Sequence, residues 1–582
     1  MTLHKHPTSK ICMIWFAWIA VCGTALSASP LNEERGIMPN QSAEYVRTQS
    51  RNASIEADAA FYNPAGLAFM LNGGIYLMLS VMNEYREQST TTGIWGLQGA
   101  DAYNPSAMIS RYIDRGEYSA RLMTTMPTGL TFIYKRENWA VFSYYSLLQH
   151  TPGLTLSRGL SSLDRATVAY NAVMASRLSQ QLAYIAGSSY LDRNQTDIGV
   201  TVGGTFAPID WLSQSLAVRY IYLKSGTVLA HYPVDVAYTG GISGNSYQSL
   251  TYIDTGLKGH GAGIIAGLDF RPGEDINIGL RLEYYPPMAA VKKTNRFIAN
   301  PVLAQSGQLN LFCDSIWPLV INDRLGGIMG NVLNFALMDS RTLSNIGNRL
   351  KVTHPPSLSV GFSYLARKVV KLTTSADITF PRARDLDGRE NDWNFVGYRL
   401  GQSVEWIINK WADVSVGYSY HDYGIKPGKR AEYETLLPAH TVGAGFTVRI
   451  LDFVNLTGAG SYSFETPCRS SGMELIRSSM MGDQFMYGMV QSQEHSGSQW
   501  RVALGATFSI FPVSAAHIKK AEEHYWKGVS DYLGNDIETA LDEFKAARFN
   551  NLYYRDVSKK IRDLTELKRL IDKNREEEER GR

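Results

Sequence analysis

The sequence predicts an all-β protein, a 14-stranded antiparallel transmembrane β-barrel plugged by an N-terminal segment and carrying a small C-terminal α-helical extension. Three observations carry that expectation. Past about residue 74, apolar residues recur at every second position, the period of a strand with two unlike faces. Most of these runs are ten residues or longer, enough to cross a bilayer at a tilt, whereas soluble strands average about five or six. Short and long connections alternate along the chain, as periplasmic turns and extracellular loops do in outer-membrane barrels.

Composition removes the rival classes. Of 582 residues, 44% are hydrophobic, 11% aromatic and only 19% charged, with 51 Gly and 33 Tyr, which excludes a disordered chain. A mean hydropathy of −0.18 leaves no room for the several apolar runs of about 20 residues that a polytopic helical protein needs. The net charge of +3 gives no basic footprint for nucleic acid.

Residues 1–28 read as an export signal: Lys5, His6 and Lys10, an apolar stretch over 11–21, then the small residues of GTALSA with cleavage near Ser27 or Ala28. Cys22 offers a lipid-modified N-terminus as a rival, with Val21 bulky for the preceding position. The mature chain keeps Cys313 and Cys468, both extracellular on the predicted topology. Export permits a disulfide between them, and two free thiols are the alternative.

The predicted strands lie near 74–84, 128–135, 139–149, 194–206, 213–225, 261–271, 275–286, 357–365, 370–380, 395–407, 412–422, 440–450, 453–465 and 499–511. In DINIGLRLEYY, Ile276, Ile278, Leu280 and Leu282 share one face and Asn277, Gly279, Arg281 and Glu283 the other. The same split separates Val200 and Val202 from Asp197 and Thr201, Leu400 and Val404 from Arg399 and Glu405, and Val502 and Leu504 from Arg501. Short turns fall at 135–138, 207–211, 271–275, 366–369, 408–412 and 450–453; long loops span 85–127, 150–193, 226–260, 287–356, 381–394, 423–439 and 466–498. Trp139, Trp211, Trp406, Trp411 and Trp500 sit where interfacial girdles form.

A barrel of this size has a lumen too wide for its wall side chains to fill, and residues 29–73, which show no alternation, are the natural plug. Asn63-Pro64-Ala65-Gly66 reads as a turn in which Asn and Gly tolerate the left-handed region. Ala57, Ala59 and Ala60 around Asp58 suggest a short, close-packing helix.

The string NASIEADAAFYNPAGLA, residues 52–68, resembles the N-terminal hatch of FadL-type outer-membrane transporters of long-chain fatty acids and other hydrophobic compounds, a family that includes TodX-like hydrocarbon transporters. The resemblance covers roughly residues 36–512. It implies a hatch blocking the barrel from inside, with Asn63, Pro64 and Ala65 at the plug. It further implies capture of ligand in an apolar groove among extracellular loops, a pocket in the lumen, and sideways exit beside a kinked third strand. Three stretches of the sequence bear on that path.

Leu163, Val168, Val173, Met174, Leu178, Leu182 and Ile185 in loop 150–193 recur at spacings that suit one or two amphipathic helices. They would bind ligand or pack on neighbouring loops. The third strand has no clean parity through FSYYSLLQ and meets Pro152-Gly153, the pattern of a kink or of a frayed end. For a carboxylate ligand, Arg219, Arg281, Arg399 and Arg501 all have inward parity; the alternative is that Asp197, Asp269, Asp377, Glu283 and Glu405 neutralise them in a lumen network. Lys224, near the extracellular end of the fifth strand, is a further ligand candidate whose parity is wrong unless a bulge intervenes.

Residues 513–582 change to helical period. Two antiparallel helices broken at Leu533-Gly534-Asn535, capped by Asn535 or Asp536, place Gly528, Ala540, Phe544 and Ala547 as in one tetratricopeptide repeat. A third amphipathic helix carries Val557, Ile561, Leu564, Leu567 and Ile571. The tail reads as a three-helix bundle or as a periplasmic docking module for a protein partner.

Function therefore reads as outer-membrane uptake of long-chain fatty acids or other hydrophobic molecules, with outer-membrane lipid around the barrel; a porin or a surface adhesin is the alternative. Ser419, His421 and Asp422 lie together in GYSYHDYG, but no oxyanion turn accompanies them, so no enzyme is expected. No His/Cys spacing suggests a metal, and no cofactor is expected.

Overall fold

The computed structural model describes residues 41–70, 73–99, 116–136, 138–156, 181–186, 189–231, 235–239, 249–301, 349–383, 391, 393–409, 411–426, 437–451, 453–480, 483–509, 515–551 and 556–580. Strands β1 (Gly74–Gly99), β2 (Gly116–Arg136), β3 (Trp139–Leu156), β4 (Gln181–Ala186), β5 (Ser189–Ile209), β6 (Leu212–His231), β7 (Asp235–Thr239), β8 (Ser249–Phe270), β9 (Ile276–Tyr284) and β10 (Met288–Pro301) make the first part. Strands β11 (Arg349–Val352), β12 (Ser357–Ala366), β13 (Val370–Thr379), β14 (Gly397–Asn409), β15 (Ala412–Asp422), β16 (Ala439–Leu451), β17 (Val454–Glu465), β18 (Cys468–Met480) and β19 (Asp483–Ser509) complete it.

Fourteen of these close on themselves, each antiparallel to its neighbours: β1, β2, β3, β5, β6, β8, β9, β12, β13, β14, β15, β16, β17 and β19, which returns to β1. Closure leaves no sheet edge, which is what a strand-built membrane crossing requires. Among the described residues no helix is long and apolar enough to cross a membrane. The alternation has its predicted sense. Val200, Val202, Leu400, Val416 and Leu504 are exposed on the outer wall, while Asp197, Thr201, Arg219, Ser415 and Ser419 are buried facing the lumen. Trp139, Trp211, Trp406, Trp411 and Trp500 are all exposed.

Several stretches expected as loops are strand. β1 runs on to Gly99 and pairs with β19 up to Tyr487, β8 begins at Ser249, and β18 folds back on β19 within 466–498. Antiparallel hairpins satisfy their backbone as well above the bilayer as within it. Without lipid on one side, though, the side chains there have no reason to alternate. The expected helix through Leu182 and Ile185 is likewise strand: β4 pairs with β7, with Leu182 opposite Tyr238.

One interruption crosses two neighbouring strands. β9 and β12 pair up to Glu283 and Ser357, and β10 and β11 resume at Met288 and Val352. Pro286-Pro287 and Pro355-Pro356 occupy the gap, and proline has no N–H to give a ladder. On the β8 side, three residues face four, and Gly261 and Gly263 leave room for the side chains of Met288 and Tyr285.

The N-terminal segment lies inside the barrel. Helix α1 (Ala43–Thr48) is capped by Ser42, whose hydroxyl accepts from the Tyr45 N–H, and ends at Gln49 in the left-handed region, φ 57°. Helix α2 (Ala59–Tyr62) forms beside Asp58, as the alanines suggest. Close approach explains three wall glycines on consecutive strands: a Cβ at Gly401, Gly417 or Gly443 would meet the backbone of Gln49, Thr48 or Val46. The expected turn at Asn63 is instead the start of a 3-10 helix over Pro64–Phe69. Neither Asn63 nor Gly66 takes positive φ there, because proline at the first helical position already sets the bend.

Three helices follow the barrel: α3 (Ala515–Leu533), α4 (Ile537–Asn550) and α5 (Val557–Arg580). The break is as read, with Asn535 at φ 67° and Asp536 as N-cap accepting from the Thr539 N–H at 3.0 Å. Tyr525, Ala540, Phe544, Ala547, Val557, Ile561 and Leu564 form their common core.

Candidate functional site at a seam in the barrel wall

The third strand is where the wall opens. β3 pairs with β2 only from Trp139 to Ser146, whereas β2 continues along β1 up to Gly116. Beyond Ser146, β3 follows β5 alone, with register shifts between Leu147 and Gln149 and between Thr151 and Leu154. Leu147 stands eight residues from the start of the strand, roughly 20 Å up a tilted wall. A bulge packs two successive side chains inward: Leu147 and Leu148 are both buried, and Gly199 leaves space for Leu148.

The N-terminal segment closes this seam from inside. The Gln41 side-chain amide donates to the Leu147 carbonyl at 2.8 Å, taking the place of the missing β2 partner. A Cβ at Gly129, the last β2 residue in the ladder, would collide with the Gln41 carbonyl. Ala43 and Val46 of α1 pack with Met82, Met126 and Leu147 in one apolar cluster. Below it, Phe61, Phe142, Tyr144, Leu148, Ile221 and Leu223 belong to a larger buried cluster, and the Phe61 ring meets Tyr144 edge-on at 5.4 Å.

Polar anchors hold the segment on both flanks. Arg51 bonds Asp58 at 2.7 Å and Glu56 at 2.6 Å; Arg47 bonds Glu405 at 2.8 Å and Asp413 at 3.3 Å; Lys371 lies 3.3 Å from both Glu56 and Glu405. Opposite, the Asn63 amide donates to the Ser54 carbonyl at 3.0 Å and to Asp269, which also accepts from Asn277 at 3.0 Å. The Ala65 carbonyl accepts from Thr205 at 3.2 Å and from Ser213. Gly66 is equally hemmed in, since a Cβ there would meet the Ser54 carbonyl, Asn63 and Asp269.

Arg219 is wholly buried and its donors are spent. It bonds Glu283 and Thr201 at 3.0 Å, bonds the hydroxyls of Tyr144 and Tyr285, and lies over the Phe61 ring at 5.3 Å. Of the two expectations for the inward arginines, the lumen network holds. Arg281 bonds Ser359 and the Phe61 carbonyl and reaches Glu283, and Arg399 meets Asp377 at 2.7 Å. Two pairings differ from expectation: Arg501 meets Glu84, and Glu405 and Asp269 are engaged by the N-terminal segment.

Lys224 is corrected outright. The β5–β6 register runs unbroken from Ser189 to Phe206, so no bulge turns it inward, and it is exposed on the outer wall. Leu163, Val168, Val173, Met174 and Leu178 lie outside the described residues, as does Cys313; Cys468 opens β18 opposite His495. Ser419 donates to Gln49 at 3.0 Å, so its hydroxyl serves the internal packing. Among the described residues no group of three or more His, Cys, Asp or Glu is arranged for a metal. No motif or periodicity in the sequence singles out Gln41, Arg47, Arg51 or the Leu147-Leu148 pair. Only the lost parity in FSYYSLLQ pointed toward the last two.

No family model matches the chain, and no curated protein sequence matches it. Solved structures do. A FadL homologue of Pseudomonas aeruginosa superposes with a TM-score of 0.51 at 12% identity, covering 82% of this chain and 99% of its own. The toluene transporters TodX of P. putida (TM-score 0.44, 10% identity, 78% and 94% covered) and TbuX of Ralstonia pickettii (0.41, 14%, 82% and 100%) are more distant. At such identity the first of these shows a shared fold: a closed 14-stranded barrel of the FadL type.

Proposed function

We propose that the protein is an outer-membrane transporter that takes up hydrophobic small molecules, long-chain fatty acids among them, by diffusion. The seam between β2 and β3 carries this reading. It is a gap in the wall at bilayer depth, lined by Leu147, Leu148 and Met126 and shut by a polar cap from Gln41. Such a gap serves a ligand that leaves sideways into lipid, whereas a solute pore needs a clear axis, and here residues 41–70 stand across it. On this reading residues 1–28 direct export, 29–73 form the hatch, 74–512 the barrel, and 513–582 lie in the periplasm as a tetratricopeptide-like module for a protein partner. Ligand first meets the extracellular loop that holds Leu163, Val168, Val173, Met174, Leu178 and Leu182; Cys468, the cysteine among the described residues, is a free thiol.

The test uses liposomes containing the purified protein. A fluorescent fatty acid should bind and enter while sugar and ion flux stays small. Strong solute leakage without lipid binding would make it a porin.

A further inference from the structure

Three lysines stand together on the outer wall, and no described acidic side chain pairs with them. Lys224 of β6 and Lys258 of β8 are direct Cα partners. On the far side of β8, Val291 of β10 faces Lys258, and Lys293 lies two residues further along, diagonal to it. All three side chains are exposed, and none makes a hydrogen bond or ion pair with another described residue. Directly opposed like charges weaken a ladder, so a site built this way gains from an anion. The nearest acidic side chain described on this face, Asp192, is four residues along β5 from Thr196, the partner of Lys224, roughly 13 Å away along the strand.

Height identifies the anion. Lys224 is twelve residues from Leu212 at the periplasmic end of β6, and Lys258 is twelve from Phe270 at that end of β8. At about 3.3 Å per residue and a tilt of about 40°, both stand roughly 30 Å up the wall, just beyond an apolar band about 25 Å tall. Immediately below are Tyr220, 49% exposed, and His260, whose ring lies 6.4 Å from that of Tyr220. Aromatics at the interface with cations directly above make a headgroup-level site.

We infer that Lys224, Lys258 and Lys293 bind the phosphate groups of an anionic lipid in the outer leaflet, with Tyr220 against its acyl chains. Lysine suits this role because a compact ammonium meets a phosphate as a point charge and requires no fixed approach. The inference rests on the outer-membrane reading above, and its test separates the two.

The full chain is purified with native lipid, stripped by detergent exchange, and titrated with diphosphoryl lipid A, phosphatidylethanolamine or inorganic phosphate under native mass spectrometry. Wild type should retain lipid A at least tenfold better than phosphatidylethanolamine. The K224Q/K258Q/K293Q variant should lose that preference, and K224R/K258R/K293R should keep it. Equal retention by the glutamine variant, or displacement of lipid A by inorganic phosphate at equal phosphate concentration, would overturn the inference. Loss of preference in the arginine variant would also count against it. Failure of the protein to insert into bilayers at all would instead sink the outer-membrane reading.

Discussion

The side-chain amide of Gln41 donates to the backbone carbonyl of Leu147 at 2.8 Å. Leu147 is the first β3 residue that β2 no longer pairs. Through this one bond the N-terminal segment supplies the hydrogen bond that the sheet lacks at its seam. A buried carbonyl left without a donor costs about 1–3 kcal/mol, so the stability of the seam and the seating of the segment are linked.

Gln41→Ala should therefore open the seam selectively. Amide hydrogen exchange of β3 from Leu147 onward is expected to quicken by roughly tenfold or more, the equivalent of about 1.4 kcal/mol, with 139–146 unchanged. Uniform protection across β3 in the variant would show that Gln41 has no hold on the seam.

Arg51→Met removes the cation shared by Asp58 and Glu56 and leaves the buried Asp58 carboxylate without its ion pair. Breaking a buried pair on one side costs about 3–5 kcal/mol. The segment should loosen, and single-channel recordings in planar bilayers should show openings absent from wild type.

Gly417→Val drives a side chain into the backbone of Thr48. Gly273→Val, in the short turn between β8 and β9 with open space around it, makes the matched control. Ion conductance should rise in the first variant and stay at the wild-type level in the second; equal conductance would mean that the glycine track does not seat the segment.

Replacing Asn63 should also unseat the segment, because Asp269 and the Ser54 carbonyl lose their common donor. Asn63→Leu is expected to raise conductance or abolish ligand uptake in the liposome assay.

The helical tail has its own pH response. The hydrogen bond from Lys527, followed by that from His524, holds the Glu543 carboxyl below its ordinary value of 4.5. A depressed folded value means that the stabilisation is complete above pH 4.5 and is lost as pH falls through the lower folded value. Melting of the α3–α4 pair, followed in the intact protein by circular dichroism at 222 nm, should shift down below that pH. Glu543→Gln should flatten the shift.

Most of the fourteen wall strands read from alternation, because an apolar outer face and a polar inner one force a period of two on each crossing; the third loses its parity where it bulges at Leu147. Beyond the band where one face must be apolar the pattern ends, and the upper parts of β1, β8 and β19 carry no period that marks them as strand. Parity matches lumen acids such as Glu405 to wall arginines, since only wall residues have parity. Their partners Arg47 and Arg51 come from a segment with no period to read. Pro64 marked a bend correctly, but the 3-10 turn after it depends on the wall donors Thr205 and Ser213, which lie far away in sequence.

The paired prolines between β9–β10 and β11–β12 act as a firebreak. A strand that slips by one residue turns every side chain to the wrong face, and in a continuous ladder that error travels the whole length of the wall. Here the hydrogen-bonded frame stops at Glu283 and Ser357 and starts afresh at Met288 and Val352. On these two strands the upper part can be mispaired while the register below holds, although β8 beside them runs through without a break in its ladder to β6.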